Sequence, residues 1–516
     1  MIKRIVLVSM PYITPTSPPL GIATLKSCIE KKTGVKVTCM DVNLLFTKYL
    51  LKLIKDDPNK RPREAKLLEV SEYLKSDKAY SNETKLKEYL KLFSMNLQIV
   101  NINSTNISRD YLEGKRNNLA LMEKYVDSIL DINPQMIGFS VCYSDQITNS
   151  IAMAKRLKNK NPSLKIVFGG PAMQKNSKLL SKISSVIDYI VYNQGEQSLV
   201  ALIKGDDKNK IPNLIFLKND HVQINPEENC TSIDTPFADF SELTDYYVPE
   251  PVLPVLSAKG CYWRKCAFCV HYHSYSYNYT VKNIKNFIQE LQHYNSVYNA
   301  KYFYFVDEMV PARRLEKISE EIINSGLKIY YSALVKPNDD FTSNILRKMY
   351  ESGCRVLLPG IESGNQRILD LINKGTNVAS NENFLKRSHE AGIRNACYFF
   401  VGFPTETKEE LQDTKNFIIR NGEYIDFVLH AKFLLEEGSD IIINPQKYNI
   451  RLKGLKRINQ KTLINDFEVL SENAIQPESE VYIDYIDFFR NFKGKQYGFG
   501  KFREHMLIYY SKKRKI

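Results

Sequence analysis

Gly260-Cys261-Tyr262-Trp263-Arg264-Lys265-Cys266-Ala267-Phe268-Cys269 puts three cysteines within nine residues near the middle of a 516-residue chain. The only tryptophan of the protein lies between the first two. Arg264 and Lys265 inside the run argue against a plain buried segment, because charged side chains are rarely buried unpaired. Close thiols in this pattern point to a metal centre. Structural zinc takes four ligands, and His271 or His273 just downstream could supply the fourth. An iron–sulfur cluster held by thiolates of one short loop is the other option, and three ligands would leave one iron open. On local sequence alone both stand.

Around this loop the chain alternates strand and helix. Val255 to Ala258 reads as a strand running into the cysteines. Helices over 280–299, 312–325, 341–352, 380–391 and 407–421 then separate strands over 302–306, 328–334, 355–359, 395–401 and 427–433. Six βα-type repeats imply a partial (β/α)6 TIM-like barrel over 255–433, with chemistry at the carboxyl ends of the strands. The cysteine loop occupies such an end.

Upstream, residues 1–230 read as a doubly wound, Rossmann-like α/β domain. Its strands fall over 5–8, 35–42, 135–143, 164–168, 189–192 and 213–217. A Pro-rich loop over 10–19 precedes a helix from Leu20 to about Lys32, and a Lys-, Leu- and Asn-rich helical insertion spans about 44–130. Gly169-Gly170-Pro171 and Gly195-Glu196 stand at strand ends, where glycine lets backbone approach a bulky ligand. Residues 231–254, with Pro236, Pro251 and Pro254, read as an extended linker. Residues 434–516 read as a small, mostly helical accessory domain. Its aromatic stretch over 481–489 is more simply core than a binding platform.

Composition narrows the class. Hydrophobic content of 43% and charged content of 25% are ordinary for a globular protein, and no apolar run reaches the length of a membrane span. The N-terminus reads as a buried strand rather than a signal peptide, so a cytoplasmic protein is expected. Nine cysteines in this length are not a disulfide framework. Cys28, Cys39, Cys142, Cys230, Cys354 and Cys397 are isolated and read as small buried hydrophobes. The net charge of +14 reads as Lys spread over solvated helix faces rather than a nucleic-acid footprint, and would also suit an acidic or peptide substrate.

The cysteine loop resembles that of the radical S-adenosylmethionine (SAM) enzymes, Cys-x3-Cys-x-aromatic-Cys, with Phe268 as the aromatic residue. It departs in one respect: four residues, not three, separate Cys261 from Cys266. Three later stretches carry the same likeness in order. Phe305-Val306-Asp307-Glu308 ends the second strand. Gly360-Ile361-Glu362-Ser363-Gly364, with Lys374-Gly375 after it, follows the fourth. Gly402-Phe403-Pro404-Thr405-Glu406-Thr407 follows the fifth. The resemblance implies a [4Fe–4S] cluster on Cys261, Cys266 and Cys269, whose open iron chelates SAM. It implies SAM contacts from Phe268, Asp307, Glu308, Ser332, Glu362, Ser363 and Gly402, with Glu362 toward the ribose and Asp307 or Glu308 toward the ammonium. One electron would then cleave SAM to a 5′-deoxyadenosyl radical, which requires a reductase or a flavodoxin- or ferredoxin-type donor.

Pro18-Pro19-Leu20-Gly21-Ile22-Ala23-Thr24-Leu25 looks like the opening of the cobalamin-binding domain in one branch of that family. The resemblance implies cobalamin near Pro19, Leu20, Gly21, Ser140, Val141, Gly169, Gly170, Pro171, Gly195 and Glu196. No histidine precedes His221, so the Asp-x-His-x-x-Gly motif that supplies a lower axial imidazole elsewhere is absent from this domain. The expected function is a cobalamin-dependent methyltransferase acting on a peptide or small natural product. Radical oxidation, cyclisation or epimerisation without cobalamin is a second possibility, and a non-catalytic zinc- or cobalamin-binding regulator a third. Tyr272, His271 and His273 are candidate radical-handling residues.

Overall fold

The computed structural model describes residues 2–119, 122–173, 185–228, 232–270, 278–436, 438–457, 463–470, 480–492 and 497–513. Cys230, Tyr272, His271 and His273 lie outside the described residues. The chain divides into two compact units, with the main boundary between Pro254 and Val255, and residues 82–87 counting with the second.

The first unit is built on β1 (Arg4–Ser9), β2 (Lys36–Asp41), β3 (Met136–Ser140), β4 (Lys165–Gly169), β5 (Tyr189–Val191), β6 (Leu214–Lys218) and β7 (His221–Ile224). The order is β2-β1-β3-β4-β5-β6-β7. The first five strands are parallel, while β6 and β7 close the edge as an antiparallel hairpin. β7 has no counterpart in the sequence reading, because its half-exposed, polar pattern gives little strand signal. The parallel strands are continuous apolar runs, as expected for a sheet buried on both faces: Val6, Val8, Ile137, Phe139, Ile166 and Phe168 share one core. Helices Leu20–Thr33, Asp145–Lys160 and Gly195–Lys204 connect the strands. The insertion forms helices Val42–Asp56, Pro62–Leu74, Glu83–Leu112 and Glu123–Asp131. In the order 2-1-3-4-5, the strand sequence reverses between β1 and β3, and such switch points are where open α/β sheets bind ligands.

Residues 232–251 are extended, and several are tied to the first unit. Lys26 is buried between Asp239 and Glu242, at 3.2 and 3.1 Å, and the Tyr246 hydroxyl donates to buried Asp41 at 2.9 Å. The next strand starts earlier than expected. β8 (Val252–Val255) includes Pro254, which is tolerated because β8 is an edge strand. A short ribbon follows, β9 (Ala258–Lys259) paired with β10 (Thr280–Val281).

The second unit holds a six-stranded sheet of β8, β11 (Tyr302–Phe305), β12 (Tyr330–Val335), β13 (Cys354–Glu362), β14 (Arg394–Val401) and β15 (Phe427–Lys432), ordered as in the chain. The pairs from β11 to β15 are parallel, and each strand lies beside its predecessor, which is barrel winding rather than the reversing order of the first unit. β8 and β15 are the two edges, so the barrel is partial. Register places Tyr304, Ser332, Gly360 and Tyr398 on one face. The last helix, Arg503–Lys512, packs on that face: Arg503 bonds the Tyr304 hydroxyl, its guanidinium lies 5.5 Å from the Tyr398 ring, and Tyr510 meets Phe427. The region after β15 is helical in part, but it also contains an antiparallel hairpin, β16 (Ile450–Arg457) with β17 (Leu463–Val469), absent from the sequence reading. Among the described residues, no helix is long and apolar enough to cross a membrane.

Candidate active site

The loop carrying Cys261, Cys266 and Cys269 leaves β9 at the carboxyl end of the barrel sheet, and all three side chains are half-buried. None of the three forms a disulfide among the described residues, and backbone hydrogen bonds fix the path of the loop. Ala267 N–H donates to the Ile372 carbonyl at 2.9 Å, and Cys269 N–H to the Cys266 carbonyl at 3.2 Å. Phe268 packs edge-on against Phe400, ring centroids 5.2 Å apart. The extra residue between Cys261 and Cys266 has a visible accommodation: Arg264 takes φ +53°, the left-handed conformation that turns the longer loop. Burial pushes the Cys266 thiol up to about 11, with Lys374 pulling it back. Among the described residues, no three His, Cys, Asp or Glu side chains are gathered tightly enough to chelate one metal ion.

Two lysines face these cysteines. Lys374 Nζ bonds Glu362 Oε1 at 2.6 Å, with both side chains mostly buried. Burial alone would lower the Lys374 pKa, but Glu362, Cys266 and Cys269 hold it above the ordinary range. Glu362 itself has φ +66° at a register shift where β13 ends, which turns its carboxylate toward Lys374. A Cβ on Gly360 would sit 2.7 Å from both partners, so glycine there makes room for the pair. Lys336, just after β12, donates to the Gly375 carbonyl at 2.7 Å and lies 3.8 Å from the Trp263 ring centroid. Trp263 Nε1–H donates to the Asn373 carbonyl at 2.8 Å. Gly375, at φ +65°, has no space for a Cβ because the indole occupies it. A lone lysine after a strand has no sequence signature, so Lys336 is a site residue that the sequence reading missed.

The acidic pair after β11 divides. Asp307 is fully engaged within the chain: Oδ2 accepts from Ser257 N–H at 3.0 Å, while Oδ1 accepts from the Ser257 hydroxyl at 2.6 Å and Ala258 N–H at 2.5 Å. Arg314 braces the same loop through the Ser257 carbonyl. Glu308 is the opposite case. Both carboxylate oxygens are buried with no hydrogen-bond partner. Burial pushes its carboxyl up to about 8, with Lys259 opposing and Asp307 adding to the rise. The Ser332 hydroxyl, one strand over, is also buried without a partner. Unpaired buried polar atoms cost stability, and each one in a native fold calls for a reason such as a catalytic role or a bound water or ion. The shortfall at Glu308 and Ser332 fits a ligand bearing an ammonium group at this strand end.

The remaining motif residues are placed structurally. Ser363 is fully buried, and its hydroxyl is shared with Thr414 at 3.1 Å on the helix Lys408–Arg420. Gly402 N–H is committed to Glu406 Oε2 at 2.8 Å. Glu406 is buried and pushed up to about 8 by that burial. Thr407 caps the next helix in a capping box with Glu410. The Gly-Phe-Pro-Thr-Glu-Thr run is thus a turn and helix start that holds the end of β14.

In the first unit the expected cobalamin segments meet at the carboxyl edge of the sheet. A Cβ on Gly21 would touch the Ser140 hydroxyl at 3.4 Å, and one on Gly195 would reach Leu25 at 3.7 Å. Gly170, at φ +101°, lies against the backbone of Val141, where a Cβ would come within 2.5 Å of the carbonyl oxygen. Val141 N–H donates to the Gly169 carbonyl at 2.8 Å, and Ala172 N–H to the Val141 carbonyl at 3.1 Å. Helices Leu20–Thr33 and Gly195–Lys204 both start here without a side-chain cap. Gln194, unnoticed in the sequence, points an unpartnered buried Nε2 at this edge. These features fit a large polar ligand laid across the β1/β3 switch point. His221 lies on β7, at the far edge of the sheet.

Comparison with known proteins agrees with both halves. Residues 255–418 match the Radical SAM superfamily, and residues 86–203 match the B12 binding domain. An uncharacterised methyltransferase of Pyrococcus horikoshii is 28% identical over 300 residues, covering 56% of this chain and 65% of that protein. The anaerobic magnesium-protoporphyrin IX monomethyl ester cyclase of Cereibacter sphaeroides is 26% identical, covering 57% of this chain and 50% of its own. The chain therefore spans about half to two thirds of these relatives. Among solved structures, the radical SAM methyltransferase TsrM of Kitasatospora setae superposes with a TM-score of 0.60 at 14% identity, over 88% of this chain and 79% of that one. The cobalamin-dependent radical SAM enzyme OxsB superposes at 0.59 and 15% identity, over 87% and 56%. At these identities the structural likeness speaks to the fold.

Proposed function

We propose, for a chain that is a radical SAM enzyme of the branch carrying a B12 binding domain, that it transfers a methyl group to a peptide or a small natural product. The groups this requires are a [4Fe–4S] cluster, which would supply the electron that cleaves SAM, and cobalamin, which would carry the methyl group. Cys261, Cys266 and Cys269 would hold the cluster, and Phe268 would line the adenine side. Glu308, with Ser332 beside it, would receive the methionine ammonium. Asp307 fixes the Ser257–Ala258 backbone that leads into the cysteine loop. Glu362, oriented by Lys374, keeps its second oxygen for a ribose hydroxyl. Pro19, Leu20, Gly21, Ser140, Val141, Gly169, Gly170, Pro171, Gln194, Gly195 and Glu196 would surround the corrin.

The observation behind the SAM-binding part of this reading is the bare Glu308 carboxylate, buried at a barrel strand end with neither oxygen bonded; methyl transfer is supported by the match to the B12 binding domain. A structural carboxylate would be paired, as Asp307 is. The test is anaerobic reconstitution with iron, sulfide and hydroxocobalamin, followed by incubation with SAM and a low-potential flavodoxin- or ferredoxin-type donor. Formation of both S-adenosylhomocysteine and 5′-deoxyadenosine is the expected result. 5′-Deoxyadenosine without bound corrin would instead favour cobalamin-independent radical chemistry, and the cyclase among the relatives makes ring closure the specific second reading.

A further inference from the structure

Lys336 is only 4% exposed, and among the described residues no carboxylate lies within ion-pair distance of its ammonium. A buried lysine normally has such a partner. The other lysine at the site, Lys374, is neutralised by Glu362. What holds Lys336 is the Trp263 ring at 3.8 Å and the Gly375 carbonyl at 2.7 Å. Trp263 is in turn fixed by its bond to Asn373. Burial and the neighbouring Lys374 ammonium push the Lys336 pKa down, while Cys266, Asp340 and Cys261 act in the opposite sense and favour its charged form. Trp263, which carries the aromatic face, is one of the four residues between these two cysteines.

We propose that Lys336, clamped by Trp263 and the Gly375 carbonyl, is a cation dedicated to the Cys261–Cys269 loop and sets the redox poise of the iron–sulfur cluster held there. The inference rests on the cluster reading above. Reduction brings one electron from an external low-potential protein donor and adds one negative charge, with no bond made or broken. A fixed, desolvated positive charge near the thiolates favours the reduced state. Lys336 is therefore a positioning residue: it acts on the cluster through space and does not ligate it. The same contacts account for Gly375, since any side chain there would expel the indole that holds the ammonium.

The experiment compares full-length wild type, K336M, K336R and W263L after anaerobic reconstitution. Iron and sulfide per chain are counted, and the reduced-to-oxidised ratio is read by electron paramagnetic resonance at a set potential without SAM. At equal iron content, K336M should lower the ratio about tenfold, which for a one-electron couple is about 59 mV. K336R should stay within about twofold of wild type, and W263L should lower the ratio several-fold. Should K336M fold poorly, W263L against K336R carries the same comparison. A ratio for K336M or W263L within twofold of wild type overturns the inference, as does an equal loss in K336R. Wild type that takes up no iron removes the cluster reading itself, whereas a loaded wild type with an unresponsive K336M removes only the role of Lys336.

Discussion

Replacing Glu308 with glutamine tests the ammonium site in a form that pH can read. The folded carboxyl titrates at about 8, because both oxygens are buried and unpaired. In the ligand-free protein it is therefore ionised only to about 1% at pH 6 and about half at pH 8. An ammonium ligand pairs with the ionised form, so binding below pH 8 must release a proton. SAM affinity should then climb about tenfold per unit from pH 6 toward pH 8 and level off above it, a span of about 2.7 kcal/mol. A side-chain amide cannot titrate, so E308Q should bind with no such slope. Above pH 8 it should lose about 2 kcal/mol, or about thirtyfold, the worth of a hydrogen bond to a charged group. The two profiles should cross at pH ~6.5, where wild type has lost about the same thirtyfold. Isothermal titration calorimetry in two buffers of different ionisation enthalpy counts the proton directly: about one per SAM at pH 7 for wild type and none for E308Q. A flat affinity profile in wild type, or proton release that survives in E308Q, refutes the assignment of Glu308 to the ammonium.

Other outcomes follow from the same geometry. Gly375→Ala, which forces a side chain into the Trp263 ring, should cost about 1–3 kcal/mol in chemical denaturation and reduce iron retention after desalting. Gly170→Ala, with its new Cβ 2.5 Å from the Val141 carbonyl, should cost a similar ~1–3 kcal/mol and weaken corrin uptake measured by absorbance. Glu308 and Glu406 both titrate near 8 in the folded chain. Their pKa values are raised, so the folded state keeps protons that the unfolded state has lost. Ligand-free stability should therefore be greatest near pH 5 and fall as pH rises toward 8. Thermal melts should show that decline, shallower in E308Q.

The cysteine loop and the barrel repeats were legible because their signals are local: three thiols in nine residues, and apolar strand runs alternating with amphipathic helices. The two sheets also followed from pattern, but not their orders, since pairing partners are set by tertiary contacts. β7 was missed because a four-residue, half-exposed strand gives little apolar signal; the longer β16–β17 hairpin was missed although both its strands alternate apolar and polar residues in part. At the site, the split between Asp307 and Glu308 was invisible in sequence. Adjacent residues at a strand end point to opposite sides, and only the position of Ser257 and Ala258 decides which carboxylate is taken. The burial of the Ser363 hydroxyl was equally hidden, because it depends on Gly364 bringing the chain against Thr414, fifty residues away. Lys336, Gln194 and the partner of Trp263 depend on segments far apart in the chain, so no spacing rule could find them.

On this reading the chain holds a cluster on Cys261, Cys266 and Cys269 and a corrin at a separate site of its own. Metal analysis and the absorption spectrum of protein reconstituted anaerobically with iron, sulfide and hydroxocobalamin, then desalted, test it most directly. The predicted result is about four irons and one corrin per chain. C261S, C266S and C269S should each lose the iron and keep the corrin. Zinc in place of iron, or iron that survives all three serine substitutions, would contradict it.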